Sequence, residues 1–329
     1  MALLNAGPLH GWLILDKPVG LGSTQAVSAV KRAWREAGYP KAKVGHGGTL
    51  DPLASGVLPI AVGEATKLSG RMLDADKAYE FTICFGVETD TLDAEGVEVA
   101  ESPVRPTLTE VEAVLPRFTG PIAQVPPAYS ALKVDGRRAY DLARAGEMVE
   151  LARRTITVHD IVIRHPGLVP GSTLQQPPSP AEGWMPEQVR HDGLGEVTLS
   201  ARVSKGTYIR SLARDIAYAL GTVGHIIMLR RTKAGPFTLD QAISLDKLAE
   251  AAKGARLREL LLPLTSGLDD IPVLAVSPEQ TQALRQGRRL SGHAAPAGLH
   301  LAMLGPTPIA LVEVEDDIRV VRGFNLMSE

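Results

Sequence analysis

Hydrophobic and polar positions alternate in two stretches, Tyr79, Phe81, Ile83, Phe85 and Val197, Leu199, Ala201, Val203. A period of two is that of a strand with one buried face. Apolar runs add further candidates, so strands are predicted at 11–16, 57–62, 79–86, 155–163 and 195–203. Elsewhere the period lengthens to that of a helix. Ile209, Leu212, Ile216 and Leu220 form one stripe, ended by Gly221, with Arg210 and Arg214 on a different face. Val111, Val114, Leu115 and Phe118 form another, and Thr109 with Glu112 reads as its capping box. Ser23 reads as the N-cap of a helix through Ala26, Val30 and Trp34 to about Ala37, with Gly38 as its stop. Strands and helices mix without a regular βαβ rhythm, which predicts an α+β fold.

The same pattern marks the boundaries. Residues 164–193 hold six of the 24 prolines and no apolar periodicity, so they read as a flexible, dispensable surface insertion between two strands. Residues 264–272 read as a linker. Beyond it come a helix at 278–286 and strands near 299–304, 308–314 and 318–324. The expected organisation is a main domain over 1–265, interrupted by the insertion, and a small β-rich domain over 270–329.

Composition narrows the class without choosing a function. The 329 residues are 44% hydrophobic and 22% charged with a net charge of −2, ordinary values for a folded chain. Cys84 is the one cysteine, which excludes an intramolecular disulfide and a CxxC zinc or redox site. The first residues lack the cationic start of a signal peptide, and no apolar run approaches a membrane span, so a cytoplasmic protein is expected. Charge is uneven along the chain: nine acidic against two basic residues over 71–103, and seven basic against one acidic over 201–233. Two solvated faces would explain this, as would a cationic surface for a polyanion with the acidic hairpin turned away.

Three segments could carry chemistry. From Gly45 to Pro59, four glycines and two prolines in 15 residues describe a tightly prescribed loop. It fits neither a Rossmann turn, which needs a third glycine where Leu50 stands, nor a Walker A loop, which needs Gly-Lys-Ser/Thr. Its one carboxylate, Asp51, lies between Leu50 and Pro52. A fixed carboxylate suits nucleophilic or general-base catalysis; an aspartate beside proline also caps turns. In the second segment, Ser204 to Leu212, Arg210 falls in a first helical turn, where the helix dipole disfavours a cation. A partner carboxylate or phosphate would account for it, as would a surface ion pair. In the third, Tyr129 to Tyr140, a turn at Asp135-Gly136 sits among Lys133, Arg137 and Arg138. Aromatics interleaved with cations suit unpaired bases beside phosphates, although half-buried tyrosines would look the same. The acidic stretch 90–96 breaks EF-hand spacing and reads as a solvated hairpin tip. The eight histidines form no ligand-spaced cluster, and no metal is indicated.

Taken in order, these segments resemble the TruB-type tRNA pseudouridine-55 synthases. Gly45–Pro59 is similar to the family's catalytic loop, Lys77-Ala78-Tyr79 to its second motif, and Tyr129–Arg144 to its hairpin and helix. Ser204–Gly221 and His225–Arg231 are similar to its remaining core motifs, and Gly11–Pro18 to its opening strand. The resemblance covers about residues 10–265 without the insertion. It implies the pseudouridine synthase fold, with a central mixed, mainly antiparallel sheet flanked by helices and a small C-terminal PUA-like β domain.

The resemblance also implies the reaction. A uridine in the T-arm loop of tRNA is detached from its ribose, rotated and rejoined through carbon, with no cofactor. By resemblance, Asp51 is the catalytic carboxylate and Arg210 its counter-charge. Tyr79 stacks on the flipped uracil, Tyr208 and Leu229 line the pocket, and His46 fills the space the base leaves. Lys133, Arg137, Arg138, Lys205, Arg230 and Arg231 are the expected phosphate contacts. The partner is the tRNA T-arm, with no protein partner implied and a monomer expected. A non-catalytic RNA binder would need none of Asp51, Tyr79 and Arg210 together. A guide-RNA-dependent relative would be expected to carry basic tails and a larger PUA unit.

Overall fold

The computed structural model describes residues 9–326 except 131, 135, 148, 150, 165–192 and 292–294. Among these the strands are β1 (Gly11–Lys17), β2 (Val44–His46), β3 (Ser55–Val62), β4 (Lys77–Phe85), β5 (Val87–Thr89) and β6 (Glu98–Glu101). They continue with β7 (Gly120–Gln124), β8 (Lys133–Val134), β9 (Arg137–Arg138), β10 (Arg154–Ile163), β11 (Glu196–Val203) and β12 (Gly224–Ala234). The last are β13 (Phe237–Thr238), β14 (Val273–Ala275), β15 (Leu290–Ser291), β16 (Gly298–Leu304), β17 (Thr307–Val314) and β18 (Asp317–Gly323). The α-helices are α1 (Ser23–Glu36), α2 (Ser69–Asp74), α3 (Leu108–Val114), α4 (Ala139–Arg144), α5 (Ile209–Ala219), α6 (Leu245–Lys253) and α7 (Pro278–Arg285). The fold is α+β, and its long strand ladders are antiparallel.

The chain forms two compact units. One comprises residues 1–75 and 233–329, the other 76–232. In the first, β1 pairs antiparallel with β3 along its whole length, from Gly11 opposite Val62 to Lys17 opposite Gly56, and β2 pairs with the far end of β3. Both long strands are buried nearly throughout, as their continuous apolar runs require. The C-terminal strands make their own five-stranded sheet in the order β14-β16-β17-β18-β15. Its inner residues Leu301, Leu311 and Phe324 share a core with Trp12, Ile14, Val57 and Phe237. The expected linker at 264–272 is therefore not free. It contains a buried 3-10 turn, Leu264–Gly267, whose Leu264 carbonyl accepts from Trp12 Nε1 at 3.1 Å.

In the second unit the order is β12-β4-β11-β10-β7. The two alternating stretches lie side by side, Phe81 opposite Leu199 and Ile83 opposite Val197, so their apolar rows form one buried face. β10 and β11 pair directly, and the chain between them contains the predicted insertion, whose residues 165–192 lie outside the described residues.

Two predicted caps move. The helix predicted from Ser23 has Gly22 as its N-cap, because the Ser23 hydroxyl is engaged elsewhere, donating to Leu50 O and accepting from Leu50 N, both at 2.8 Å. The capping box before α3 is Thr107 with Glu110, two residues upstream of the predicted pair. Thr107 Oγ1 accepts from Glu110 N at 3.2 Å, and Thr107 N donates to Glu110 Oε2 at 2.7 Å. The sequence carries the Thr-x-x-Glu spacing twice, and Leu108 joins the helix.

Candidate active site

The glycine-rich loop joins β2 to β3 in the first unit. It is held at both flanks. Ser23, at the start of α1, ties down Leu50 on one side of Asp51. On the other side, Pro52 O accepts from Lys17 Nζ at 3.2 Å and from Gly20 N at 2.8 Å. Lys17 is fully buried, and its ammonium also donates to Leu21 O at 2.6 Å and Pro18 O at 2.9 Å. A buried ammonium needs such a cage of acceptors. Gly47 N donates to Pro59 O at 2.8 Å, and a Cβ at Gly47 would meet Met72 Cβ at 2.6 Å, so glycine is needed for close approach. Asp51 is half-buried, and its own carbonyl accepts from Ala54 N at 3.1 Å. His46 closes β2, with Nδ1 3.4 Å from Gly48 N.

The other candidates lie in the second unit. Tyr79 opens the buried row that continues through Phe81, Ile83 and Phe85, but it is itself half-buried at the strand's end. Leu229 is buried on β12. Tyr208 is the N-cap of α5, and Gln124, fully buried, grips it at both backbone polar atoms. Tyr208 N donates to Gln124 Oε1 at 2.8 Å, and Gln124 Nε2 donates to Tyr208 O at 3.1 Å. The Arg154 guanidinium lies 4.9 Å from the centre of the Tyr208 ring and donates to Gly206 O, bracing the loop before α5.

Arg210 is 6% exposed and has an anionic partner, which offsets the unfavourable helix dipole in the first turn. Asp93 Oδ2 is 3.2 Å from Arg210 Nη1. Nη1 also donates to Thr91 O at 2.8 Å, and Nη2 donates to Tyr129 O at 3.0 Å. The other oxygen of Asp93 accepts from Thr91 Oγ1 at 2.6 Å and Glu95 N at 3.1 Å. Between them Leu92 adopts a left-handed φ of 62° with its side chain buried, a strained choice for leucine that the surrounding bonds hold in place.

These contacts correct the sequence reading of 90–96. The stretch is not a solvated tip turned away from the basic segment: Asp93 is 8% exposed and neutralises Arg210. Asp93 and Gln124 were both missed. Three carboxylates within those seven residues, Asp90, Asp93 and Glu95, gave no sign of which one folds inward, and a lone glutamine carries no pattern at all. The basic segment is also less cationic than its count suggests. Arg202 pairs with Asp160 at 2.9 Å and Arg214 with Asp215 at 2.8 Å. Arg231 is 1% exposed, which removes it from the expected phosphate contacts. Its neighbour Arg230 is half-buried and Lys205 is exposed. On the β8–β9 hairpin, Lys133, Arg137 and Arg138 are exposed. Arg137 pairs with Glu147 at 3.0 Å, and Arg138 and Arg144 flank the Tyr140 ring at 5.8 and 5.7 Å.

The chain is similar in sequence and in its α+β fold to pseudouridine synthases. An H/ACA RNP bound to a substrate RNA containing 2′-deoxyuridine includes a chain with the same fold. Its TM-score is 0.66 at 23% identity, covering 95% of this chain and 84% of that one. A chain of a Cbf5-Nop10-Gar1 complex matches with a TM-score of 0.63 at 26% identity, covering 92% and 78%. The family model described as "TruB family pseudouridylate synthase (N terminal domain)" matches residues 35–168. That of the "tRNA pseudouridylate synthase B C-terminal domain" matches residues 210–269. A tRNA pseudouridine synthase B from Novosphingobium aromaticivorans is 59% identical over 321 residues, 97% of this chain and 99% of that protein. One from Zymomonas mobilis is 57% identical over 318 residues, 96% of each. The chain belongs to the TruB family of pseudouridine synthases.

Proposed function

We infer that this protein is a tRNA pseudouridine synthase that converts uridine 55 in the T-arm loop to pseudouridine. Relatives of that name at up to 59% identity over nearly the full length support the activity. The structural observation that carries the assignment of the carboxylate is the double anchoring of its loop. Leu50 and Pro52, the residues on either side of Asp51, are both hydrogen-bonded to the opening segment of the chain. A carboxylate on a backbone fixed in this way loses little freedom in reaching a transition state.

The reaction is an isomerisation. The N1–C1′ bond of the nucleotide breaks, the base turns, a C5–C1′ bond forms, and the proton on C5 is lost while N1 gains one. Asp51 is assigned as the catalytic carboxylate, and Arg210 as its counter-charge, from the resemblance to the family. The base starts stacked within the folded loop, so extruding it costs a few kcal/mol. His46 offsets that cost by filling the vacated space. Tyr79 stacks on the extruded uracil, and Tyr208 and Leu229 close the apolar part of the pocket. Lys133, Arg137, Arg138, Lys205 and Arg230 contact phosphates, giving affinity, while the shape of the T-arm gives selectivity. The C-terminal β domain over 270–329 adds RNA contacts. A monomer is the proposed state, and a tRNA substrate suits a cytoplasmic enzyme. No helix among the described residues is long and apolar enough to cross a membrane.

The test is to incubate the purified protein with unmodified tRNA and map the modified nucleotide. Pseudouridine at the single T-loop position, lost in Asp51→Asn while tRNA binding persists, is the expected result. Modification elsewhere, or turnover that survives Asp51→Asn, would overturn the assignment.

A further inference from the structure

Arg210 is held by acceptors from two different segments. Asp93 and Thr91 O belong to the loop after β5, and Tyr129 O belongs to the segment after β7. Nothing in the sequence requires these segments to keep a fixed spacing. Yet a guanidinium is a rigid planar fork, and a shift of one segment against the other would tilt it or break one of its bonds. The structure contains a link between them. Tyr129 Oη donates to Asp90 Oδ2 at 3.0 Å, so the residue whose carbonyl receives Arg210 is tied by its side chain to the loop that supplies the other two acceptors. Asp90 is in turn built into that loop, with Asp90 N donating to Val97 O and Val97 N donating to Asp90 Oδ1, both at 3.0 Å. The result is a closed ring of contacts: Arg210 to Tyr129 O, along the Tyr129 side chain to Asp90, and through Thr91 to Asp93 and back to Arg210.

We propose that Tyr129 and Asp90 are positioning residues for Arg210, a strap that fixes the orientation of the guanidinium without touching substrate. Tyr129 was read from the sequence as a possible stacking platform for a base. The geometry gives it a further task, since both its hydroxyl and its carbonyl are engaged. The bond to the Asp90 carboxylate also raises the phenol's pKa above its ordinary 10.0, so the hydroxyl remains a donor throughout the neutral range. A hydrogen bond to a charged group is strong enough to hold such an orientation, and its geometry matters only while Arg210 acts on the reaction. The inference therefore rests on the reading of Arg210 as the counter-charge of the catalytic carboxylate.

The experiment measures single-turnover rates and tRNA affinity for wild type, Tyr129→Phe, Asp90→Asn, the double variant and Arg210→Lys. Tyr129→Phe keeps the ring and the carbonyl and removes only the strap. It should slow the single-turnover rate about tenfold, the scale of one charge-assisted hydrogen bond, with tRNA affinity unchanged. Asp90→Asn should act in the same direction. The double variant should fall no further than the slower single one, because both remove one contact. Wild-type rates in Tyr129→Phe, additive losses in the double variant, or a loss confined to affinity would each overturn the strap while leaving Arg210's role standing if Arg210→Lys is slow. An Arg210→Lys variant with wild-type turnover would instead remove the reading beneath it. Thermal melts of each variant separate a lost orientation from a lost fold: a rate that falls only in proportion to unfolded protein also counts against the strap.

Discussion

Asp93 Oδ2 and Arg210 Nη1 are 3.2 Å apart, and the two side chains are 11% and 8% exposed. Asp93 spends its second oxygen on Thr91 Oγ1 and Glu95 N, so the carboxylate is satisfied on every side. Removing one partner of a buried pair leaves the other charge without compensation. Asp93→Ala should therefore cost about 3–5 kcal/mol of stability by urea denaturation. Asp93→Asn should keep the fold better, yet slow single-turnover pseudouridine formation by more than tenfold with little change in tRNA affinity. An Asp93→Asn enzyme with wild-type turnover would show that the pair is structural alone.

Lys17 is the hub of the opening segment. Replacing it with methionine keeps most of the stem and removes three bonds to carbonyls, including the one to Pro52 O beside Asp51. About 2–4 kcal/mol of stability should be lost, because the carbonyls stay buried without their donor. Turnover per folded molecule should fall as the Asp51 loop loosens. A melting temperature equal to wild type would contradict this.

His10 sets a pH limit at the edge of the same unit. Its Nδ1 accepts from Glu64 N at 3.1 Å, which requires that nitrogen to be unprotonated, and its Nε2 is buried without a partner. Burial is the main cause that lowers its pKa from the ordinary 6.5, against the opposing pull of Glu64. The unfolded chain therefore takes up this proton at a higher pH than the folded one. Stability is fully present above the unfolded value and declines as pH falls through it towards the lower folded value. Between about pH 7.5 and about pH 5.5 the wild-type melting temperature should fall more than that of His10→Gln. Parallel curves would assign the decline to other groups.

The insertion between β10 and β11 should be dispensable. The strands pair up to Ile163 opposite Leu199, Arg164 N still donates to Thr198 O at 2.8 Å, and Leu194 N donates to Pro106 O at 2.7 Å. The ends of the connection are thus fixed by contacts outside it. Deleting 166–192 and closing the hairpin with a short linker should leave the melting temperature and the modification rate near wild type, since loop length enters only logarithmically. A drop of more than a few degrees would give the segment a structural role.

The elements with strong periodicity were legible. α5 begins at Ile209 and ends before Gly221, whose φ of 72° is the left-handed stop that glycine provides. β4 and β11 follow their alternation. The Asp51 loop was legible because glycine and proline restrict the backbone whatever surrounds them. Less visible was the task of a polar residue with two equally good local uses. Ser23 could cap α1, and instead binds Leu50 27 positions away. Arg231 could have faced solvent, and instead is among the most buried side chains.

Local patterns of side-chain size, polarity and backbone freedom act over a few residues. The sequence by itself therefore marked the strongly periodic helices and strands, the faces they bury and the glycine- and proline-restricted loop around Asp51. The long strand β12 was not among the predicted ones. The partners of buried charges were decided only by the tertiary structure. Arg210 reaches Thr91 and Tyr129 across 119 and 81 positions, and Lys17 reaches Pro52 across 35. Any of several acidic residues could have met Arg210 on charge alone. Asp93 is the one that does, because the bonds about its turn at Leu92 fold it inward, where leaving either charge unpaired would cost about 3–5 kcal/mol, a large share of a typical folding stability.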